Sequence, residues 1–557
     1  MPFMDVWGCI EKAVERALTD LGISSGTITL EHSAELSHGD YATGVALKFA
    51  KQSGKNPREL AEAIVASLGV IEGVEKVDIA GPGFINFKLS PAAIVERLDH
   101  ARTDEKWGTG DALVGKTIMV EYTDPNPFKQ FHIGHLMSNA IGESITRLLE
   151  HSGASVLRAN YQGDVGQHVA KALYVLLERG TTEPTIEEIS SAYVEGSTRY
   201  EADGQIAVAI NEINKKVYDR SDPEVNEMYA KGREITLAHF EDIYTVLGTK
   251  FDYYFFESET APIGMEIVRA HPEVFTPSEG AIIFVGEKYG LHTRVFVTGL
   301  GLPTYETKDL GLAKLKADTA TFDTSITVTA SEQMDYFKVI KKVMEFVMPD
   351  IAPKIEHVTH GMMRFAQGKM SSRKGNVVTG ESLLTELTEA AKARAAESRA
   401  KDHEKLAQEI AVAAIKYQIL KQAAGKDIIF DPARALSMEG DSGPYLQYTF
   451  ARTHAILDRV HVANIKPAFD AGTEPTDLMR LLARFPEIVA RAAREYEPHH
   501  LATYLIEVAS AFNSWYGQVQ ILDQSNDEPH KVAIVEALSH TLKNGLSILA
   551  IPAPERM

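Results

Sequence analysis

Residues 117–136 read TIMVEYTDPNPFKQFHIGHL. The opening TIMVEYT is an apolar, β-branched run of strand length, and Pro125, Asn126 and Pro127 then force a loop. A helix follows from about Gly134 to Ser152, with Leu136, Ile141, Ile145, Leu148 and Leu149 on its apolar face and Gly153 ending it. The next run, SVLRANY from Ser155, is a second strand. Strand, helix, strand is one unit of a parallel sheet, and such sheets bind ligands at the carboxyl ends of their strands. The proline loop, His132 and His135 therefore sit where a nucleotide would bind.

On either side the pattern changes. Before about residue 112, Asn56-Pro57 opens an amphipathic helix, and VEKVDIA and FINFKLS are two strands joined by Gly81-Pro82-Gly83, which together predict a small α+β domain. From roughly 170 to 290, helical runs mixed with short strand signals suggest an insertion into the sheet domain, and strand character returns at ITVTA, 326–330. Beyond about 405 nearly every segment is amphipathic helix, predicting a helical bundle; the Ala- and charge-rich run AKARAAESRAKDHEKLAQE marks the junction. The expected chain is thus α/β: an N-terminal α+β domain (1–112), a Rossmann-like parallel-sheet catalytic domain (113–404) and a C-terminal all-α bundle (405–557).

Composition fits this plan. With 557 residues, 44% hydrophobic and 24% charged, the chain has the make-up of a globular protein of roughly three or four domains. One cysteine, Cys9, excludes an intrachain disulfide and a Cys-based zinc site. No apolar run approaches the length of about 20 residues that spans a bilayer, and the amphipathic start is not a signal peptide, so a cytoplasmic enzyme with no membrane association is expected. A net charge of -20 taken alone argues against nucleic acid, although a large acidic protein can still carry one basic face.

Two motifs carry chemistry. FHIGHL places His132 and His135 one turn apart where a helix begins, suited to charge developing on a transferring phosphoryl group. A lone HxxH is more often two surface histidines, and the absence of HExxH makes zinc a poorer alternative. GKMSSRKGN crowds Lys369, Arg373 and Lys374 between Gly368 and Gly375. In isolation that is a solvated basic loop; beside a nucleotide it could clamp a triphosphate.

Together, HIGH after a first parallel strand and a later KMS loop resemble the signature pair of class I aminoacyl-tRNA synthetases. VEYTDPNPFKQFHIGHL, ANYQGDVGQ, LPTYETKDLGLA and SGPYLQYTFAR resemble the arginyl-tRNA synthetase family in particular. SHGDYA and AGPGFINF resemble that family's N-terminal tRNA-contacting domain, and PERM its usual ending. The resemblance spans the chain and is least distinctive over 170–290. It implies ATP- and Mg²⁺-dependent formation of arginyl-adenylate and transfer of arginine to its tRNA by a monomer with no resident metal. It places ATP on His132, Gly134, His135, Lys369, Met370, Ser371 and Ser372, with Lys129 and Lys374 as further catalytic cations. Arginine falls on Glu121, Asn126, Tyr305, Asp309 and Gln333. The tRNA D-loop falls on Phe84 and Asn86, and the anticodon on Tyr445, Tyr448 and Arg452. A forked carboxylate suits a planar guanidinium; Asp309 could instead only cap a helix.

Three positions depart from the family. Ser372 stands where KMSKS has its second lysine, Val165 where a tryptophan is common and His168 where a glutamine is usual. Two other readings are a tRNA-independent HIGH-type nucleotidyltransferase that adenylates a small acid, and a catalytically idle tRNA-binding paralogue. The long helical C-terminus weighs against the first. His132, His135, Lys369 and Asp309 weigh against the second.

Overall fold

A computed structural model describes residues 5–24, 28–33, 35–366, 378–470 and 472–557. Five parallel strands make the central sheet: Thr117–Glu121, Ser155–Gln162, Tyr253–Phe256, Thr324–Ala330 and Ile355–His360. Across the sheet they run fifth, fourth, first, second, third. The strand order reverses between the first and fourth strands, where Glu121 lies in register with Thr327. That reversal opens a crevice beyond the carboxyl ends of the strands. Ile118, Met119, Val120, Ile326 and Val328 are all buried, as expected of a parallel sheet covered on both faces.

The helix Ile133–His151 lies where the sequence puts it, but it is buried on nearly every side, with Ser138, Asn139, Ser144 and Thr146 as enclosed as its leucines. The cause is the C-terminal bundle, which covers the face that would otherwise meet solvent. Gly142 is required here because a Cβ would strike the ring of Tyr122.

The stretch expected as one insertion is in fact two excursions. Helices Gln167–Glu178, Ile186–Ala202, Gly204–Asp219 and Pro223–Leu247 share a core of their own, including Val169, Leu173, Leu176 and Val217. Strand Tyr253–Phe256 then rejoins the central sheet before a small antiparallel sheet of Thr276–Ser278, Ala281–Phe284 and Arg294–Val297. At four residues, the aromatic strand is too short to announce itself by periodicity. The junction expected near 405 likewise falls inside packed structure. Helix His403–Leu420 sends Leu406, Ile410, Ile415 and Ile419 into the core that holds Ile118 and Val120. Strand Ile428–Phe430 then pairs with Met363–Phe365. Surface composition shifts there while the core does not.

The N-terminal sheet is antiparallel, in the order Leu30–His32, Tyr41–Thr43, Phe84–Leu89, Val74–Ala80. Its predicted helix Pro57–Leu68 is capped by Asn56, whose Oδ1 accepts from the Glu59 amide at 2.9 Å. This domain docks on the bundle through buried ion pairs, Arg480 to Asp40 at 2.6 Å and Arg97 to Glu487 at 2.7 Å.

Two cations tie the helix Ile133–His151 and the bundle to the ends of other helices. The Arg147 guanidinium donates to Ser547 O at 2.7 Å, Gly248 O at 2.8 Å and Glu143 Oε1 at 2.7 Å. Lys416, fully buried, donates to Leu247 O at 2.6 Å and Ala550 O at 2.8 Å. Both satisfy carbonyls at helix carboxyl ends, where the helix dipole favours positive charge. Arg147→Met is expected to lower stability by about 2 to 4 kcal/mol, since several charge-assisted bonds vanish together. Chemical denaturation followed by intrinsic fluorescence checks this; an unchanged midpoint would show that the joint contributes nothing.

Candidate active site

The loop between the first strand and its helix is held in an unfavourable shape. Thr123, Asp124 and Phe128 have φ of 79°, 48° and 66°, a region β-branched and bulky residues avoid. Surrounding bonds over-determine it: the Thr123 amide donates to Ser138 Oγ at 3.0 Å, and Asp124 Oδ1 accepts from the Tyr161 amide at 2.7 Å. Phe128 is fully buried against Gly232, where any Cβ would collide with its ring. Strain of this kind, of order 1 to 3 kcal/mol per residue, persists only where packing enforces it and is common at active sites.

Beyond the loop, His132 is the N-cap of the helix, and the two histidines cap each other. His132 Nδ1 accepts from the His135 amide at 3.3 Å, and His135 Nδ1 accepts from the His132 amide at 3.2 Å. Their rings stack at 3.3 Å between centroids. With both Nδ1 atoms accepting, each ring carries its proton on Nε2 and offers an N–H donor while neutral. Burial, reinforced by Lys129, holds His132 down to about 4; burial, His132 and Lys129 hold His135 well below the usual histidine range. The glycine of HIGH is explained locally: a Cβ on Gly134 would stand 2.9 Å from His132 Cε1 and 3.0 Å from its Nδ1.

Lys369, Met370, Ser371, Ser372 and Lys374 lie outside the described residues, but the anchors of their segment do not. Gly380 N donates to Phe131 O at 2.9 Å, and Thr379 bridges His132 in antiparallel fashion. Thr379 and Gly380, which follow that segment in sequence, are therefore anchored against the histidine pair.

Glu121 and Asp309 come together on the wall of a cavity of about 290 Å³ that also exposes Lys316, Thr327, Phe337 and His357. Helix Tyr305–Thr319 starts from an N-cap at Thr304, so Asp309 lies in its second turn and is not a cap. Lys316, two turns further on, pairs with Glu121, and the Tyr336 hydroxyl donates to Asp309 Oδ2 at 2.6 Å. Burial, aided by Glu121 and Glu257, raises the Asp309 carboxyl to about 7. Asp124 is pushed well up by burial and Glu121. Among the described residues, four carboxylates stand around the crevice, Glu121, Asp124, Glu257 and Asp309; Lys316 pairs with Glu121 and Lys308 with Glu257 at 2.5 Å, while the other two lysines of the cavity wall are engaged elsewhere, Lys338 with Asp335 at 2.8 Å and Lys341 with Ile355 O at 2.9 Å. Asp124, Glu257, Lys308, Lys316 and Tyr336 escaped the sequence reading. Only Lys316 carried a signal, its spacing of two turns from Asp309 on an otherwise apolar helix face.

Asn126 lies against Gly163, which is obligatory because a Cβ there would strike Asn126 Oδ1 and approach Glu257 Oε1 at 3.2 Å. His168 Nε2 bonds to Gly163 O at 2.8 Å. Tyr305 is exposed at 63%, with Lys308 Nζ 5.1 Å from its ring centre, and Gln333 is exposed in the turn after the fourth strand. Far away, Arg452 stacks between the half-exposed rings of Tyr448 and Tyr516, 4.8 and 5.0 Å from their centres. It donates to Asn513, which in turn donates to Tyr445 Oη at 2.9 Å. Tyr516 was not foreseen. Phe84 is exposed at 43% on the N-terminal sheet, whereas Asn86 is buried at 7%.

Comparison with known proteins meets this geometry at every domain. Residues 102–432 match the family described as tRNA synthetases class I (R), catalytic domain, residues 9–89 the arginyl tRNA synthetase N terminal domain, and residues 446–557 the DALR anticodon binding domain. A doubly wound sheet with paired histidines at the first helix is thus, here, the catalytic unit of a class I aminoacyl-tRNA synthetase. The arginine–tRNA ligase of Clostridium acetobutylicum is 30% identical over 556 residues, covering 97% of this chain and 98% of its own. That of Lactococcus lactis subsp. cremoris is 30% identical over 569 residues and covers both chains fully, at 100%. The solved Thermus thermophilus arginyl-tRNA synthetase superposes with a TM-score of 0.82 at 26% identity, covering 99% of this chain and 100% of that one. The chain belongs to the arginyl-tRNA synthetase family, enzymes that ligate arginine to tRNA.

Gly134→Ala should displace the His132 ring while favouring the helix. Activity is expected to fall about ten- to a hundredfold with the melting temperature unchanged or raised. Steady-state kinetics beside a thermal melt checks this, and full activity would detach His132 from the chemistry.

Proposed function

We propose that arginine is activated by MgATP at the crevice between the first and fourth strands and then passed to the 3′ end of tRNA. The observation that carries this reading is the buried carboxylate surplus. Two of the four acids are matched by lysines, and the other two, Asp309 and Asp124, are pushed toward protonation by their neighbours. Such a site is electrostatically complete only with a cation in it. Arginine brings two positive charges, a guanidinium for the Asp309 end and an α-ammonium for Asn126. The guanidinium's planar fork suits Asp309 and Glu121 where a lysine ammonium would not.

ATP fits the opposite side. The amides of Ile133 and Gly134, ahead of the first bonds that His135 and Leu136 make back to His132, favour a phosphate. The Nε2–H groups of His132 and His135 would donate to charge developing on the α-phosphate, and Lys129 adds a permanent cation. Mg²⁺ would arrive on the nucleotide. Lys369 and Lys374 would neutralise the departing pyrophosphate, with Ser372 leaving the family's usual lysine position vacant. Tyr305 and Gln333 would act as substrate-orienting groups. Phe84 is assigned to the D-loop, with buried Asn86 acting only by supporting the strand that presents it, and Tyr445, Tyr448 and Arg452 to anticodon bases, which stack on aromatic and guanidinium planes. The division we propose keeps helix His403–Leu420 with the catalytic unit. The enzyme works as a cytoplasmic monomer; among the described residues, no helix is long and apolar enough to cross a membrane.

Purified enzyme with total tRNA, ATP and each of the twenty amino acids in turn should esterify arginine alone; no arginylation would defeat the reading. A sharper expectation follows from Asp309. Its carboxyl, raised from 3.8 to about 7, is neutral below that pH and cannot pair with guanidinium. Arginine kcat/KM should therefore rise with pH through about 7 and level off above it, falling tenfold per unit on the acid side. Asp309→Asn should lower kcat/KM roughly thirtyfold to several thousandfold and flatten that acid limb. Because the raised value makes the ionised form cost stability as pH climbs from 4 to 7, the variant should melt no lower than the parent at pH 8. A folded variant within fivefold of the parent would remove Asp309 from the site.

A further inference from the structure

Beside the arginine cavity lies an open cleft of about 550 Å³, lined by Asp164, Arg220, Tyr229, Arg233, Glu234 and Ser258. No lining residue is common to the two, but two residues that lie beside arginine-site groups are followed directly by residues of the cleft. Gly163 abuts Asn126 and Glu257 on the arginine side, and the next residue, Asp164, lines the cleft. Glu257 pairs with Lys308 on the arginine side, and the next residue, Ser258, lines the cleft.

Both guanidinium groups in the cleft are braced from behind. Arg233 lies 3.9 Å over the ring centre of Phe256 and donates from Nε to Asp164 Oδ2 at 3.0 Å. Arg220 lies 4.4 Å over the ring centre of Tyr229. It is delivered there by a left-handed residue at the end of helix Gly204–Asp219, φ 55°, fixed by the Asn226 side chain donating to its carbonyl at 2.9 Å. Asp164 holds Arg233 through Nε alone, and Arg220 has no carboxylate partner among the ion pairs of the described residues. Asp164 already accepts from Tyr229 Oη at 2.9 Å, Arg233 Nε, the Ser258 amide at 2.9 Å and Ser258 Oγ at 2.8 Å, which uses its lone pairs. The remaining carboxylate of the lining, Glu234, is on the exposed rim. Guanidinium groups stacked on rings keep their N–H edges for an anion, and the planar fork matches phosphate oxygens.

We propose that this cleft holds a backbone phosphate of the single-stranded 3′ end of tRNA as that strand enters the arginine site. The inference rests on the function proposed above and deepens it. A terminal hydroxyl that must reach the adenylate carbonyl carries its preceding phosphates just outside the cavity, and two braced guanidinium groups, in a cleft reached one residue along the chain from Gly163 and Glu257, are placed to meet one of them.

The test compares dissociation constants of two tRNA transcripts, one intact and one lacking its last three nucleotides, at several salt concentrations. Arg220→Gln should weaken the intact transcript about five- to tenfold and reduce the slope of log affinity against log salt by about 0.7, one single-strand phosphate contact. It should leave affinity for the trimmed transcript at the parent value. Arg220→Lys, which keeps the charge, should recover most of the loss, and Arg233→Lys provides an independent variant if Arg220→Gln melts early. Equal losses for both transcripts, or a raised KM for ATP with tRNA affinity intact, would overturn the proposal. Arginylation by the parent enzyme in the same preparation separates that failure from failure of the arginine reading.

Discussion

One guanidinium sets how the domains meet. Arg147 stands on the helix that begins with the paired histidines, and it reaches at once the carboxyl end of helix Pro223–Leu247 and that of helix Glu528–Ile548. Lys416, from helix His403–Leu420, attaches to the same two helix ends, at Leu247, one residue before Gly248, and at Ala550, three residues beyond Ser547. Burial lowers this lysine to about 7, a cost tolerated because two helix ends would otherwise bury carbonyls without donors. The catalytic helix is thereby enclosed, and the position of its first turn is fixed from its last.

That enclosure lets the first turn do chemistry with few moving parts. The strained loop before it is pinned by Ser138, from inside the helix, and by Tyr161, from the neighbouring strand. The two histidines orient each other through backbone amides, so their donors are preset before any phosphate arrives. Preorganised donors in a water-poor site are where electrostatic catalysis gains most. The cavity of Glu121 and Asp309, where we propose that arginine binds, has the complementary character, a concentration of buried acids that a cation would relieve.

Much of this was legible in the sequence because it is local. The first strand, the proline loop, the histidine helix and the Asn56 cap each follow from a few consecutive residues, and the structure has them within a residue or two. Glu121 and Asp309 were named through resemblance and do share one cavity. What escaped depends on contacts between distant segments. Tyr336 joins Asp309 across 27 positions, Lys308 joins Glu257 across 51, and no window of sequence holds both members. The sheet strand Tyr253–Phe256 and the placement of helix His403–Leu420 were missed for a related reason: burial in a shared core leaves no mark on local composition.

On the proposed pairing of arginine with Asp309, the raised carboxyl makes substrate capture a proton exchange. Near neutral pH a fraction of empty sites holds a hydrogen on that oxygen, and arginine must expel it to form the pair. The heat of arginine binding will therefore include the ionisation heat of whatever buffer takes up the proton, and will differ between buffers while the affinity at fixed pH does not. The pocket counts hydrogen ions as well as arginine.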